Sequence, residues 1–120
     1  MILKANGNCV SSHVEIADTL YKQIKGLMFR KNIDNDYALL FILEKEKFSS
    51  VHMLFVNFPI DVLFLDENKK ILNISSIRPW IGFSYSSKTK YIIEMKAGEA
   101  RKKRLEIGET LMFRLKNKNT

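Results

Sequence analysis

Two stretches constrain what this chain can become more than any others. YALLFIL, residues 37–43, and IDVLFL, residues 60–65, are apolar runs of strand length with little or no polar alternation. A strand with one wet face alternates, so runs like these belong to strands covered on both faces. The chain has 120 residues, 46% of them hydrophobic. A domain of that size buries roughly 65% of the surface its unfolded chain exposes, enough for a core without staples. The expectation is a single domain over residues 1–120.

The remaining segments point the same way. CVSSHVEIAD, residues 9–18, alternates through Val10, Val14 and Ile16 and reads as a strand. DENKK, residues 66–70, is a hairpin turn, and ILNISSI, residues 71–77, is its return strand. YIIEM (91–95) and TLMFRL (110–115) are two further strands. Two short helices are expected. In DTLYKQIKGLMFR, residues 18–30, Asp18 or Thr19 can cap a helix. Leu20, Ile24 and Leu27 then share one helical face, and Gly26 sits where a left-handed C-terminal turn is wanted. GEARKKRLE, residues 98–106, is the second helix. RPWIGFSYSSKTK, residues 78–90, reads as a loop. Its Trp80, Ile81, Phe83 and Tyr85 suit a lid or docking surface, and equally a plug over an open end of the sheet. The fold class is therefore mainly β (α+β): a compact, antiparallel-dominated β sandwich or barrel with two short helices.

Charge narrows the partners. The net charge is +7, but residues 1–95 carry 12 Lys/Arg against 10 Asp/Glu, whereas residues 96–120 carry 8 against 3. The basic excess belongs to the C-terminal fifth. RKKR, residues 101–104, resembles a phosphate-binding patch. Glu99 to Lys103 is also a favourable i, i+4 pair, and no aromatic residues are interleaved with the basic run, so nucleic acid is a disfavoured partner. One cysteine, Cys9, permits no internal disulfide. Together with His13 and His52 it makes no plausible zinc set, so no metal or cofactor is expected. Met28, Met53 and Met95 offer thioethers to a soft cation, but their spacing favours core filling. MILKANGNCVSSHVEI contains no long apolar segment, so the expectation is a cytoplasmic protein with no membrane contact.

One acid stands out. In HMLFVNFPIDVLFLDEN, residues 52–68, Asp61 lies inside the apolar run. A buried carboxylate needs a partner. Arg30 is the favoured candidate, because its planar fork can hold a carboxylate through two hydrogen bonds, and His52 is the other. The bland alternative is a structural bridge, or a carboxylate tying loop backbone N–H groups. His52 beside an acid can do acid–base work, yet no nucleophile is marked by any local motif. Pro59, lacking an N–H, should start the strand that carries Asp61.

GLM and Arg30 in the 26–30 segment, His52–Met53, Pro59–Ile60–Asp61 and Ala97–Gly98 occur in the order that marks a known family. From about Val14 to Phe113 the chain resembles the domain-of-unknown-function 192 family. The resemblance implies a small β-rich domain with no established reaction. Many members carry Trp where this chain has His52, so a pocket shaped by that Trp would differ here.

The leading expectation is a non-catalytic module that binds a small ligand or a partner protein at a mouth built from Met28, Arg30, His52, Met53, Asn57, Pro59 and Asp61. The alternative is an enzyme using Asp61 and His52 as acid and base, with Arg30 holding an anionic substrate. The second alternative is a nucleic-acid-associated module using the C-terminal basic helix.

Overall fold

The fold is organised around one long strand. In the computed structural model, which describes residues 2–17, 26–53 and 55–115, eight strands and one short helix follow one another. They are β1 (Leu3–Ala5), β2 (Asn8–Ser11), β3 (His13–Ala17), β4 (Tyr37–His52), β5 (Ile60–Leu65), β6 (Ile71–Ile77), β7 (Phe83–Lys96), α1 (Glu99–Lys102) and β8 (Leu111–Met112). A five-stranded sheet has the order β3-β4-β7-β5-β6, and a three-stranded sheet the order β2-β1-β8. The β3–β4 pair is parallel and every other pair antiparallel.

β7 is central, and both faces of the larger sheet are buried. Leu39, Phe41, Val62, Phe64 and Ile92 form one core with Leu27, Met53, Val56 and Phe58. Leu40, Leu63, Leu65, Ile93 and Met95 form the other, against Leu3, Val10, Leu105, Leu111 and Phe113 from the small sheet and the C-terminal segment. This is why all six residues of β5 are buried and why its sequence shows no apolar alternation.

The outer halves of β4 and β7 leave the sheet as a two-stranded ribbon. The register of β4 against β7 shifts between Ile42 and Lys47 and again between Lys47 and Ser49, and such bulges bend and twist a strand pair. The ribbon folds back over the first core. Ser84 Oγ lies 2.6 Å from Ser75 Oγ on β6, and Asn73 Nδ2 donates to Tyr85 O at 3.4 Å.

The expected β-dominated architecture is observed, with three adjustments. Residues 78–90 are not a loop: 78–82 form a tight turn, and Phe83 onward is the first half of β7. The strand read over 9–18 is split into β2 and β3, which join different sheets. YALLFIL runs on to His52. The first expected helix falls mainly on residues 18–25, outside the described residues, although Gly26 does take a left-handed φ of 46°. Among the described residues no helix is long and apolar enough to cross a membrane.

Candidate functional site

Asp61 is buried, at 2% exposure, but its partner is not Arg30. Side chains alternate along a strand. Ile60 and Val62 point into the first core, so Asp61 points with Leu63 and Leu65 towards the second. There Ser76 Oγ donates to Oδ1 at 2.6 Å, while the Gly98 and Ala100 amides donate to Oδ2 at 3.0 Å each. Gly98, at the N-cap of α1, has no side chain to cap the helix and a φ of 93°. Asp61 therefore caps α1 from a distant strand, supplying the acceptor that an N-cap side chain normally provides. It ties loop backbone N–H groups, the bland alternative, and is architectural.

Arg30 lies over the first core. Its Nη2 donates to Glu15 Oε1 at 3.0 Å, its guanidinium carbon stands 5.2 Å from the Tyr37 ring centre, and Tyr37 Oη donates to Glu15 Oε2 at 3.1 Å. Burial pushes the Glu15 carboxyl up, but Arg30 and the Tyr37 hydroxyl together hold it below its ordinary value. The expected Arg30–Asp61 contact is thus replaced by Arg30–Glu15, because the five-stranded sheet stands between the two residues. The same geometry dissolves the acid–base pair of Asp61 and His52. His52 ends the ribbon, exposed, paired in register with Phe83.

The polar anomaly on the first face is Glu94, in the middle of the central strand. It sits opposite Leu39 on one side and Val62 on the other. It is 5% exposed. Among the described residues no donor is hydrogen-bonded to its carboxyl. Burial pushes that carboxyl up to about 8, with the Arg30 charge pulling against the rise. Glu94 lines a half-open pocket of ≈ 320 Å³ under the ribbon. Leu27, Met28, Phe41, Leu43, Val51, Val56 and Ile92 give its apolar walls, and Lys47, Phe48, Ser49, Ser50 and His52 come from the ribbon.

Of the residues expected at one mouth, Met28 and His52 line this pocket. Met53 is fully buried in the same core. Asn57 stands beside it as a clamp, donating through Nδ2 to Arg30 O at 3.0 Å and accepting from Trp80 Nε1 at 3.2 Å. Pro59 is exposed immediately before β5, as expected of a residue without an N–H. Asp61 belongs to the far face. Glu94 was not singled out, although its signal is the one that marked Asp61: an acid inside a strand-length apolar run.

The loops around the pocket are locked by backbone. Phe29 N donates to Phe55 O at 2.9 Å, Trp80 N to Met53 O at 3.0 Å, and Met53 N to Gly82 O at 3.0 Å. Phe29, Phe55 and Trp80 all have positive φ, at 66°, 62° and 69°. Their rings form a chain with 5.1 Å and 5.2 Å between successive centres. Phe48, Phe83 and Tyr85 add a second exposed aromatic group on the ribbon. The basic run is partly turned inward: Lys103 pairs with Glu99 at 3.4 Å and donates to Val10 O and Asn35 O.

Comparison with known proteins agrees with this architecture. A sequence profile of the DUF192 family, described as an uncharacterized ACR, matches residues 1–113. A UPF0127 protein of Thermococcus sibiricus is 37% identical over 113 residues, covering 92% of this chain and 72% of the relative. A UPF0127 protein of Pyrococcus furiosus is 34% identical, covering 92% and 95%. Two crystal structures share the fold. One is a protein of unknown function from Novosphingobium aromaticivorans, with a TM-score of 0.82 and 20% identity, covering 93% of this chain and 82% of that one. The other is a candidate transcription regulator from Sinorhizobium meliloti, with a TM-score of 0.79 and 24% identity, covering 82% and 79%. The chain belongs to the DUF192 family.

Proposed function

We propose that this protein is a non-catalytic binding module that takes a small molecule into the Glu94 pocket. The observation that carries the reading is the Glu94 carboxyl, set in the central strand at 5% exposure and lining a pocket with apolar walls. The pocket has the usual make-up of a ligand site, at the small end of the ~300–1,000 Å³ range: apolar walls and a few convergent polar groups. Acid–base catalysis is the weaker reading, since among the described residues no side chain is hydrogen-bonded to Glu94 to form an acid–base or nucleophile pair, and Asp61 is committed to α1. A reducing, cytoplasmic setting fits the exposed free thiol of Cys9.

A fragment-library thermal shift on wild type and Ser50→Trp tests the reading. Ser50 is an exposed pocket-lining residue, so an indole there fills the mouth without touching the core. Hits that raise the melting temperature of wild type and lose their effect in Ser50→Trp support the site. Hits retained equally in both proteins, or no hits at all, overturn it.

A second reading has its own observation. Phe29, Trp80, Phe83 and Tyr85 expose their aromatic side chains, and such patches serve protein contacts. A pull-down partner lost in Phe83→Ser/Tyr85→Ser, with the fragment hits intact, would favour it.

A further inference from the structure

We infer that the pocket's ligand is a small organic cation, an alkyl amine whose ammonium sits against Glu94 and whose chain lies along Phe41, Leu43 and Ile92. This rests on the pocket being a binding site and adds the class of ligand. Arg30, the cation nearest in effect to Glu94, is occupied by Glu15 and Tyr37, so the carboxyl has no cation of its own among the described residues. An ammonium supplies an opposite charge and N–H donors to the carboxyl that lines the pocket. The rings of Phe41 and Phe48 line the pocket, and aromatic faces attract cations. Lys47 and His52 lie on the ribbon and are exposed to solvent, where screening weakens their opposition.

Free and ligated states differ by one proton. The free carboxyl, at about 8, is ionised in about one molecule in ten at pH 7. Binding R–NH3⁺ takes Glu94–COOH to Glu94–COO⁻ and releases the proton to solvent. Each pH unit below the midpoint therefore weakens amine binding about tenfold, and the dependence levels off above it. A neutral ligand hydrogen-bonded by the protonated acid shows the opposite trend.

Calorimetry with hexylamine, hexanamide and hexanoate at pH 6 and pH 9, in buffers of different ionisation enthalpy, separates the cases. The expected result is hexylamine binding that is on the order of 100-fold tighter at pH 9, with proton release at pH 6 and loss of binding in Glu94→Gln. Should Glu94→Gln not fold, the pH trend and the proton release in wild type carry the test. Tighter binding of hexanamide or hexanoate, or amine affinity independent of pH, overturns the cation while leaving a pocket that binds. If no probe binds, and the library hits also survive Ser50→Trp, the binding reading itself has failed.

Discussion

Replacing Glu94 by Gln should stabilise the protein, and by an amount that depends on pH. Gln has nearly the shape of a protonated Glu but cannot ionise. In the unfolded chain Glu94 titrates near its ordinary value of 4.5, and in the folded protein near about 8. Below pH 4.5 both states hold the proton, and the acid has no effect on pH dependence. Between the two values only the native state holds it, so unfolding releases a proton and stability falls as pH rises, by about 1.4 kcal/mol per unit. Above about 8 both states are ionised and the slope vanishes. The full loss is on the order of 4–5 kcal/mol, a large share of the ~5–15 kcal/mol that holds a typical domain together. Glu94→Gln should therefore match wild type within about 1 kcal/mol at pH 4.5 and exceed it by several kcal/mol at pH 9. Urea unfolding followed by far-UV circular dichroism at five pH values measures both curves. Parallel curves from pH 5 to pH 9 would refute the reasoning, because they would mean that Glu94 titrates alike in both states.

Asp61→Ala strands the amides of Gly98 and Ala100 and should cost about 2–4 kcal/mol in urea unfolding, with Asp61→Asn costing less because one oxygen remains. Arg30→Met breaks an exposed pair worth about 0–1 kcal/mol, so stability should change little. It also removes the charge that pulls Glu94 down, so the upper break in the pH–stability profile should move above its wild-type position; an unmoved break would separate Arg30 from Glu94. A Cβ at Gly82 would lie 2.7 Å from both the N and O of Arg78, so Gly82→Ala should cost about 1–3 kcal/mol by forcing the turn open. Because Gly82 O accepts from Met53 N, amide exchange at Met53 should quicken in that variant.

The β architecture was legible wherever burial itself wrote the pattern. IDVLFL and YALLFIL lack alternation because the sheet is covered twice, and ILNISSI pairs with β5 as the DENKK turn requires: Asp66 Oδ1 accepts from the amides of Asn68 and Lys70 at 2.8 and 3.0 Å. The ribbon was missed because Pro79, Gly82 and three serines read as loop chemistry, although Phe83, Tyr85 and their serine neighbours alternate with period two. The site was half legible. An acid in an apolar run was the right signal, but chain neighbours do not reveal which face of a sheet an acid takes or what waits there. Asp61 turned out to face three donors, and Glu94, carrying the same signal, faces a cavity. Arg30 was expected to meet Asp61 and meets Glu15 instead, because the parallel pairing of β3 with β4 is a long-range register that periodicity does not encode.

The most direct measurement is the titration of the Glu94 side-chain carboxyl carbon by 13C NMR, with the signal assigned through Glu94→Gln. The account predicts a midpoint near 8 in the free protein, falling when hexylamine is added. A midpoint near 4.5 in the free protein would contradict it, since a carboxyl that ionises as it does in water is neither desolvated nor in want of a partner.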